Sequence, residues 1–167
     1  MISKTMVESL SEQLNKEVWS GYLYLSMAGY ATSIGLKGIA SWFVMQLREE
    51  LMHAQKFYDY IEQQGHRVIL KAIDEPPKDF SGAQDLFEKT LAHEKKVTGL
   101  IHALVDAAKK ENDPETEKLL QWFVKEQVEE EETPARILEK FKAAGGDKAK
   151  LSEIDKELAK RSFKFPQ

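Results

Sequence analysis

The stretch HRVILKAIDEPPKDFS, residues 66–81, decides the topology of this chain. Pro76-Pro77 and the lack of a helical apolar period make it an extended connection between two long helical patterns. Its 16 residues can span roughly 50 Å when extended. A helix of about 27 residues is roughly 40 Å long. The connection can therefore run the whole length of a helical bundle and leave the second and third helices parallel. The first–second and third–fourth connections are short, so those pairs are antiparallel. The expected fold class is all-α: a four-helix bundle with one long crossover connection and a short fifth C-terminal helix. The expected helices cover about 4–34, 38–64, 82–111, 114–144 and 149–161, within a single domain over 1–167.

The boundaries of these helices come from local signals. GLKG at 35–38 separates the first helix from the second, and Gly65 closes the second. Ser81 and Gln84 have capping-box spacing, which predicts the start of the third helix there. Asp113-Pro114 is an N-cap followed by proline at the first helical position. Gly145-Gly146 ends the fourth helix. The fifth carries Leu151, Ile154 and Leu158 on one face. Pro134 falls inside the fourth helix and is expected to kink it.

Composition narrows the functional classes. Of 167 residues, 42 % are hydrophobic and 31 % charged, as in a globular protein with a real core. The net charge of −4 argues against a nucleic-acid partner held through phosphates. There is no cysteine, so a metal site has to use carboxylates, histidine, amides and water. The N-terminus MISKTMVESL has no signal-peptide core, and a cytoplasmic location is expected. The 19 uncharged residues VWSGYLYLSMAGYATSIGL, 18–36, could span a bilayer by length alone. Scattered Ser, Thr and Gly instead favour a helix buried on more than one side, against its own core and against a second subunit. No membrane association is expected.

Bundle helices show their core face as seams with steps of three and four residues. The seams here are Leu10, Leu14, Glu17, Gly21, Tyr24, Ala28; Ile39, Phe43, Gln46, Glu50, His53, Phe57; Phe87, Leu91, Glu94, Thr98, Ile101, Val105; and Leu120, Phe123, Gln127, Glu130, Pro134, Ile137, Phe141. Each is apolar toward its ends and polar near its middle. Counted from the helix ends, Glu17, Glu50, Glu94 and Gln127 fall at a similar depth. Glu17, Glu50, His53, Glu94, Gln127 and Glu130 are thus expected together in the core, with no Lys or Arg on the central seam positions. Carboxylates buried this way must protonate or find a cation. Oxygen ligands with one imidazole suit iron or manganese, and zinc would also bind. Tyr24 lies two turns beyond Glu17, as a core tyrosine or a redox group. His66, His93 and His102 lack ligand-spaced partners and read as surface or packing residues. The run Glu129 to Glu132, taken alone, reads as a solvated acidic turn.

Three stretches, LNKEVWSGYLYLSMA (14–28), EELMHAQKFYDYI (49–61) and LQWFVKEQVEEEE (120–132), resemble those of prokaryotic non-haem ferritins. The resemblance covers essentially the whole chain and implies a ferritin-like bundle with a two-iron ferroxidase centre. It assigns Glu17, Glu50 and His53 to the first iron. Glu50 bridges to the second, completed by Glu94 and Glu130 with Gln127 beside it. Tyr24 matches the family's tyrosine near the centre. Glu49, Glu126, Glu129 and Glu130 match a third iron site. Relatives with a second Glu-x-x-His differ, since the matching positions here are Gln127 and Glu130. Bacterioferritins place a haem-ligating methionine where this chain has Leu51, so no haem is expected.

The implied activity is iron storage: Fe(II) oxidised by dioxygen, two electrons from paired irons, and ferric oxyhydroxide held in a homo-oligomeric cage of 24 subunits. The fifth helix, which a four-helix bundle does not need, adds to the expectation of a closed shell. Two other classes stay open on the residues alone. One is a non-catalytic assembly module with buried acids, and the other a di-metal oxygenase acting on an organic substrate.

Overall fold

Helix boundaries follow mainly from capping. Ser3 Oγ accepts the Met6 N–H at 3.0 Å and opens α1, Lys4–Ser33. Asp113 accepts the Thr116 N–H at 3.1 Å and, with Pro114 at the first helical position, opens α4, Pro114–Ala144. Between them lie α2, Lys37–Gln63, and α3, Ala83–Glu111; α5, Lys148–Leu158, follows. The computed structural model describes residues 2–163, and among these every regular element is helical.

Two local expectations are corrected. The Ser81–Gln84 capping box does not form. Gly82 is the N-cap of α3, and the Asp85 carboxylate accepts the Ser81 N–H at 3.0 Å instead. Gln84 turns outward to Glu88. The shorter Asp85 side chain thus takes the reciprocal half of the box. The fifth helix also ends at Leu158, short of 161, because residues 159 and 160 form a turn. Pro134 is buried and does not end α4. It has no N–H to offer the Glu130 carbonyl one turn back.

The connection is strapped to α1. Asn15 Oδ1 accepts the Lys71 N–H at 3.1 Å, the Trp19 indole donates to the Asp74 carbonyl at 3.0 Å, and Ser26 Oγ donates to the Pro77 carbonyl at 2.6 Å. The partners ascend α1 as the connection advances, so the two run in the same direction. At one end of the bundle the start of α1 meets the end of α3 through Ser3 and Glu111, 2.6 Å apart. There the end of α2 also meets the start of α4 through Tyr60 and Thr116, at 2.8 Å. Helices α2 and α3 are therefore parallel, as the length of 66–81 allows. Part of the uncharged surface of α1 is covered by this strap rather than by another chain, while Tyr22 and Leu25 stay exposed. Among the described residues, no helix is long and apolar enough to cross a membrane.

The core is in two parts. One contains Met6, Leu10, Leu14, Phe57, Ile101, Leu120 and Phe123. Phe57 and Phe123 stack there at 4.1 Å. The other contains Met27, Ile39, Trp42, Phe43, Phe87 and Phe141. Fully burying side chains of this size contributes about 1.5–3 kcal/mol each. Ile154 and Leu158 of α5 join the second part, and Leu151 packs against it. The fifth helix thus docks on its own bundle, where Asp155 Oδ1 accepts the Ile39 N–H at 2.8 Å and caps α2 from outside. Gly38 permits this approach, because a Cβ there would lie 1.8 Å from the Asp155 carbonyl oxygen. A polar layer separates the two apolar regions.

Candidate metal centre

Each helix of the bundle contributes one or two polar groups to this layer. Glu17 comes from α1, Glu50 and His53 from α2, Glu94 from α3, and Gln127 and Glu130 from α4, all of them buried. Gly21 keeps α1 and α2 close at this level: a Cβ there would meet Leu47 at 3.1 Å and the Glu50 Cβ at 3.5 Å.

The side chains form three groups whose ligand atoms lie within 4.8 Å of one another. Glu17, Glu50 and His53 form one, Glu50, Glu94 and Glu130 a second, and His53, Glu126 and Glu130 a third. Glu50 belongs to the first two, so its carboxylate stands between them. Glu49 and Glu129 stand outside these groups. Glu129 is exposed, and the Glu49 carboxylate is paired with Arg161.

Neighbouring amides and hydroxyls orient the acids. Gln13 Nε2 donates to Glu17 at 2.8 Å and Gln46 Nε2 to Glu130 at 2.9 Å. Tyr24 donates its hydroxyl proton to Glu94. Gln127 Nε2 lies 3.2 Å from both the carbonyl and the carboxylate of Glu94, and 3.2 Å from Thr98 Oγ1. In this orientation the Gln127 amide positions Glu94. His53 sits edge-on to Trp122 and Phe123, and its Nε2 is buried without a hydrogen-bond partner among the described residues.

The electrostatics match a site built for cations. Burial, then Glu94, Glu17 and Glu130, push the Glu50 carboxyl well above the ordinary carboxylate range. Burial raises Glu94 to about 7 despite the hydrogen bonds from Tyr24 and Gln127. Burial and Glu94 raise Glu130 to about 8. The Tyr24 phenol is held well above its usual value by burial and by Glu94. No Lys or Arg pairs with Glu17, Glu50, Glu94 or Glu130 among the described ion pairs. Several acids in one dry layer repel each other when ionised, and a divalent cation relieves both the repulsion and the desolvation. Hard oxygen donors with one imidazole fit iron.

Some groups were not singled out by the sequence. Gln46 was a polar seam position without a role, and Gln13, one turn before Glu17, lay off the seam. Arg161 gave no signal at all. His93 packs as expected: Ser20 Oγ lies 2.8 Å from its Nε2, Trp19 and Tyr24 flank the ring, and burial lowers its pKa to about 4.

A bundle with this crossover and a carboxylate–imidazole layer is the architecture of ferritin-like proteins. The chain matches the Ferritin-like domain family over residues 7–144. It belongs to the ferritin family of iron-storage proteins. It is 36 % identical to the bacterial non-heme ferritin of Staphylococcus saprophyticus over 163 residues, 98 % of each chain. With that of Staphylococcus aureus strain USA300 it shares 34 % over the same length and coverage. Among solved structures it is similar to an engineered closed form of the Archaeoglobus fulgidus ferritin, with a TM-score of 0.97 and 48 % identity, covering 98 % of this chain and 100 % of that one. The open pore ferritin of the same archaeon gives a TM-score of 0.96 at 48 % identity, covering 97 % and 100 %.

Proposed function

We propose that this chain is a ferroxidase that oxidises Fe(II) with dioxygen and stores the ferric product as an oxyhydroxide inside a cage of 24 copies. Iron is the substrate. Glu17, Glu50 and His53 hold one Fe(II), and Glu50, Glu94 and Glu130 hold a second beside it, with Gln127 and Tyr24 orienting Glu94. The observation that carries this reading is the membership of Glu50 in both ligand groups. A shared carboxylate keeps two irons adjacent, so two electrons are available together, and the remaining acids stabilise the ferric charge. Glu126 and Glu130, with Glu49 and Glu129 at the margin, form a third, weaker iron site through which metal passes between the centre and the cavity.

Assembly is supported by apolar surface left uncovered in the protomer. Tyr22 and Leu25 on α1, and Ile69, Leu70 and Ile73 on the strap, are exposed. Large side chains of this kind mark contact surfaces when they lie together.

Anaerobic Fe(II) titration tests the centre. Two irons per chain should bind tightly in the parent protein, and Glu50→Ala should lose both. Two tight irons retained in Glu50→Ala would reject the shared-ligand reading. Sedimentation tests the cage, which monomer or dimer alone would exclude.

A further inference from the structure

Arg161 follows the last turn of α5 and reaches α2. Its Nη2 pairs with Glu49 Oε2, and its guanidinium lies 4.3 Å from the centre of the Trp42 ring. The other terminal nitrogen, Nη1, is buried without a hydrogen-bond partner among the described residues. Asp155, on α5, anchors the same helix by capping α2. Glu49 lies one helical turn before His53 on α2, and His53 groups with Glu126 and Glu130. Lys56 bears on Glu126 but sits over Trp122, whereas Arg161 is the cation on Glu49 itself.

We propose that Arg161 is a resident counter-cation for Glu49, which a metal ion entering the outer acidic group must displace. It is a positioning residue, acting on metal through Glu49. The inference rests on the reading of Glu49, Glu126 and Glu130 as a cation-binding group. A guanidinium and a divalent metal cannot both neutralise one carboxylate without repelling each other. Docking of the C-terminal segment and occupancy of the outer group therefore oppose each other, and linkage makes the opposition reciprocal. Metal loading at this group should release Arg161 from Trp42.

The probe is Zn(II), which avoids redox chemistry, titrated calorimetrically into the full-length protein. Arg161→Gln should tighten the weakest of three zinc classes by on the order of tenfold and leave the two tight ones unchanged. Arg161→Lys, which keeps charge but not the planar fork, should fall between. Glu49→Gln combined with Arg161→Gln should remove the gain. Hydrogen exchange gives a second readout. The amides of Ala159, Lys160 and Arg161, bonded to Asp155, Glu157 and Leu158, should exchange faster on zinc loading of the parent. In Arg161→Gln they should be fast already. A weak class that is unchanged or weaker in Arg161→Gln overturns the counter-cation role alone. A weak class absent from both proteins overturns the cation-site reading and this role with it.

Discussion

His53 Nδ1 lies 3.4 Å from Glu50 Oε2, one helical turn away on α2, with both side chains almost fully buried. Among the described residues no Lys or Arg pairs with either side chain, and the opposite ring nitrogen has no hydrogen bond. If this pair holds metal, Glu50→Ala and His53→Ala should both abolish fast Fe(II) oxidation with little loss of helix. Glu50→Ala should be the worse of the two, because it removes a ligand from two groups rather than loosening one iron. Stopped-flow oxidation and circular dichroism on the two variants give the comparison. A near-normal initial rate in Glu50→Ala would refute the assignment.

The metal-free protein should lose stability as pH rises. Glu94 and Glu130 have folded pKa values of about 7 and about 8, above the ordinary 4.5. Folding therefore favours their protonated forms. Stability from these groups is fully present below about pH 4.5 and declines as pH rises through 7 and 8, where each buried acid must ionise. Zinc replaces the lost protons, so zinc-loaded protein should show a flatter or reversed trend over that window. Denaturant midpoints at several pH values, with and without zinc, provide the check. A metal-free protein that gains stability between pH 6 and 8 would count against a cation-dependent layer.

Much of this layer was legible in the sequence because long helices preserve register. Glu17, Glu50, Glu94 and Glu130 each fall on an apolar seam, and their depth follows from counting residues to a helix end. The parallel arrangement of α2 and α3 was legible from the length of 66–81 alone. What was not legible depends on side-chain reach across segments remote in sequence. Arg161 meets Glu49 from beyond the last helix, where no periodicity applies. Trp19 and Ser26 hold the strap through backbone carbonyls, which carry no side-chain signature. At the start of α3, Gln84 and Asp85 compete to accept the Ser81 N–H, and spacing alone did not choose between them.

Gly38→Ala should dislodge α5. The new methyl carbon would lie 1.8 Å from the Asp155 carbonyl oxygen, a contact with backbone that a rotamer change cannot relieve. The cap on Ile39 would be lost with it, at a cost of about 1 kcal/mol from the cap alone. The melting temperature should fall and hydrogen exchange across 148–158 should rise, with the two tight metal sites retained. An unchanged melting temperature would mean that α5 is not pinned at this point.

Glu126→Ala with Glu129→Ala tests the outer acids while sparing Glu130, which serves two groups. Burial is the main cause that raises the Glu126 pKa, and Glu129 and Glu49 add to it, so these acids act on one another. The double variant should oxidise its first two irons per chain as quickly as the parent. It should differ in irons oxidised per dioxygen, or in recovery before a second addition. If both match the parent, Glu129 belongs to a solvated flank and the third iron site is withdrawn.

The most direct measurement is the number of irons oxidised per chain when Fe(II) is added in excess under air. A ferroxidase that stores its product should take up many irons per chain as soluble ferric mineral co-sedimenting with the protein. Uptake that stops at about two per chain would indicate a di-metal oxygenase centre without storage. No protein-dependent oxidation would contradict a catalytic role for the buried carboxylates altogether.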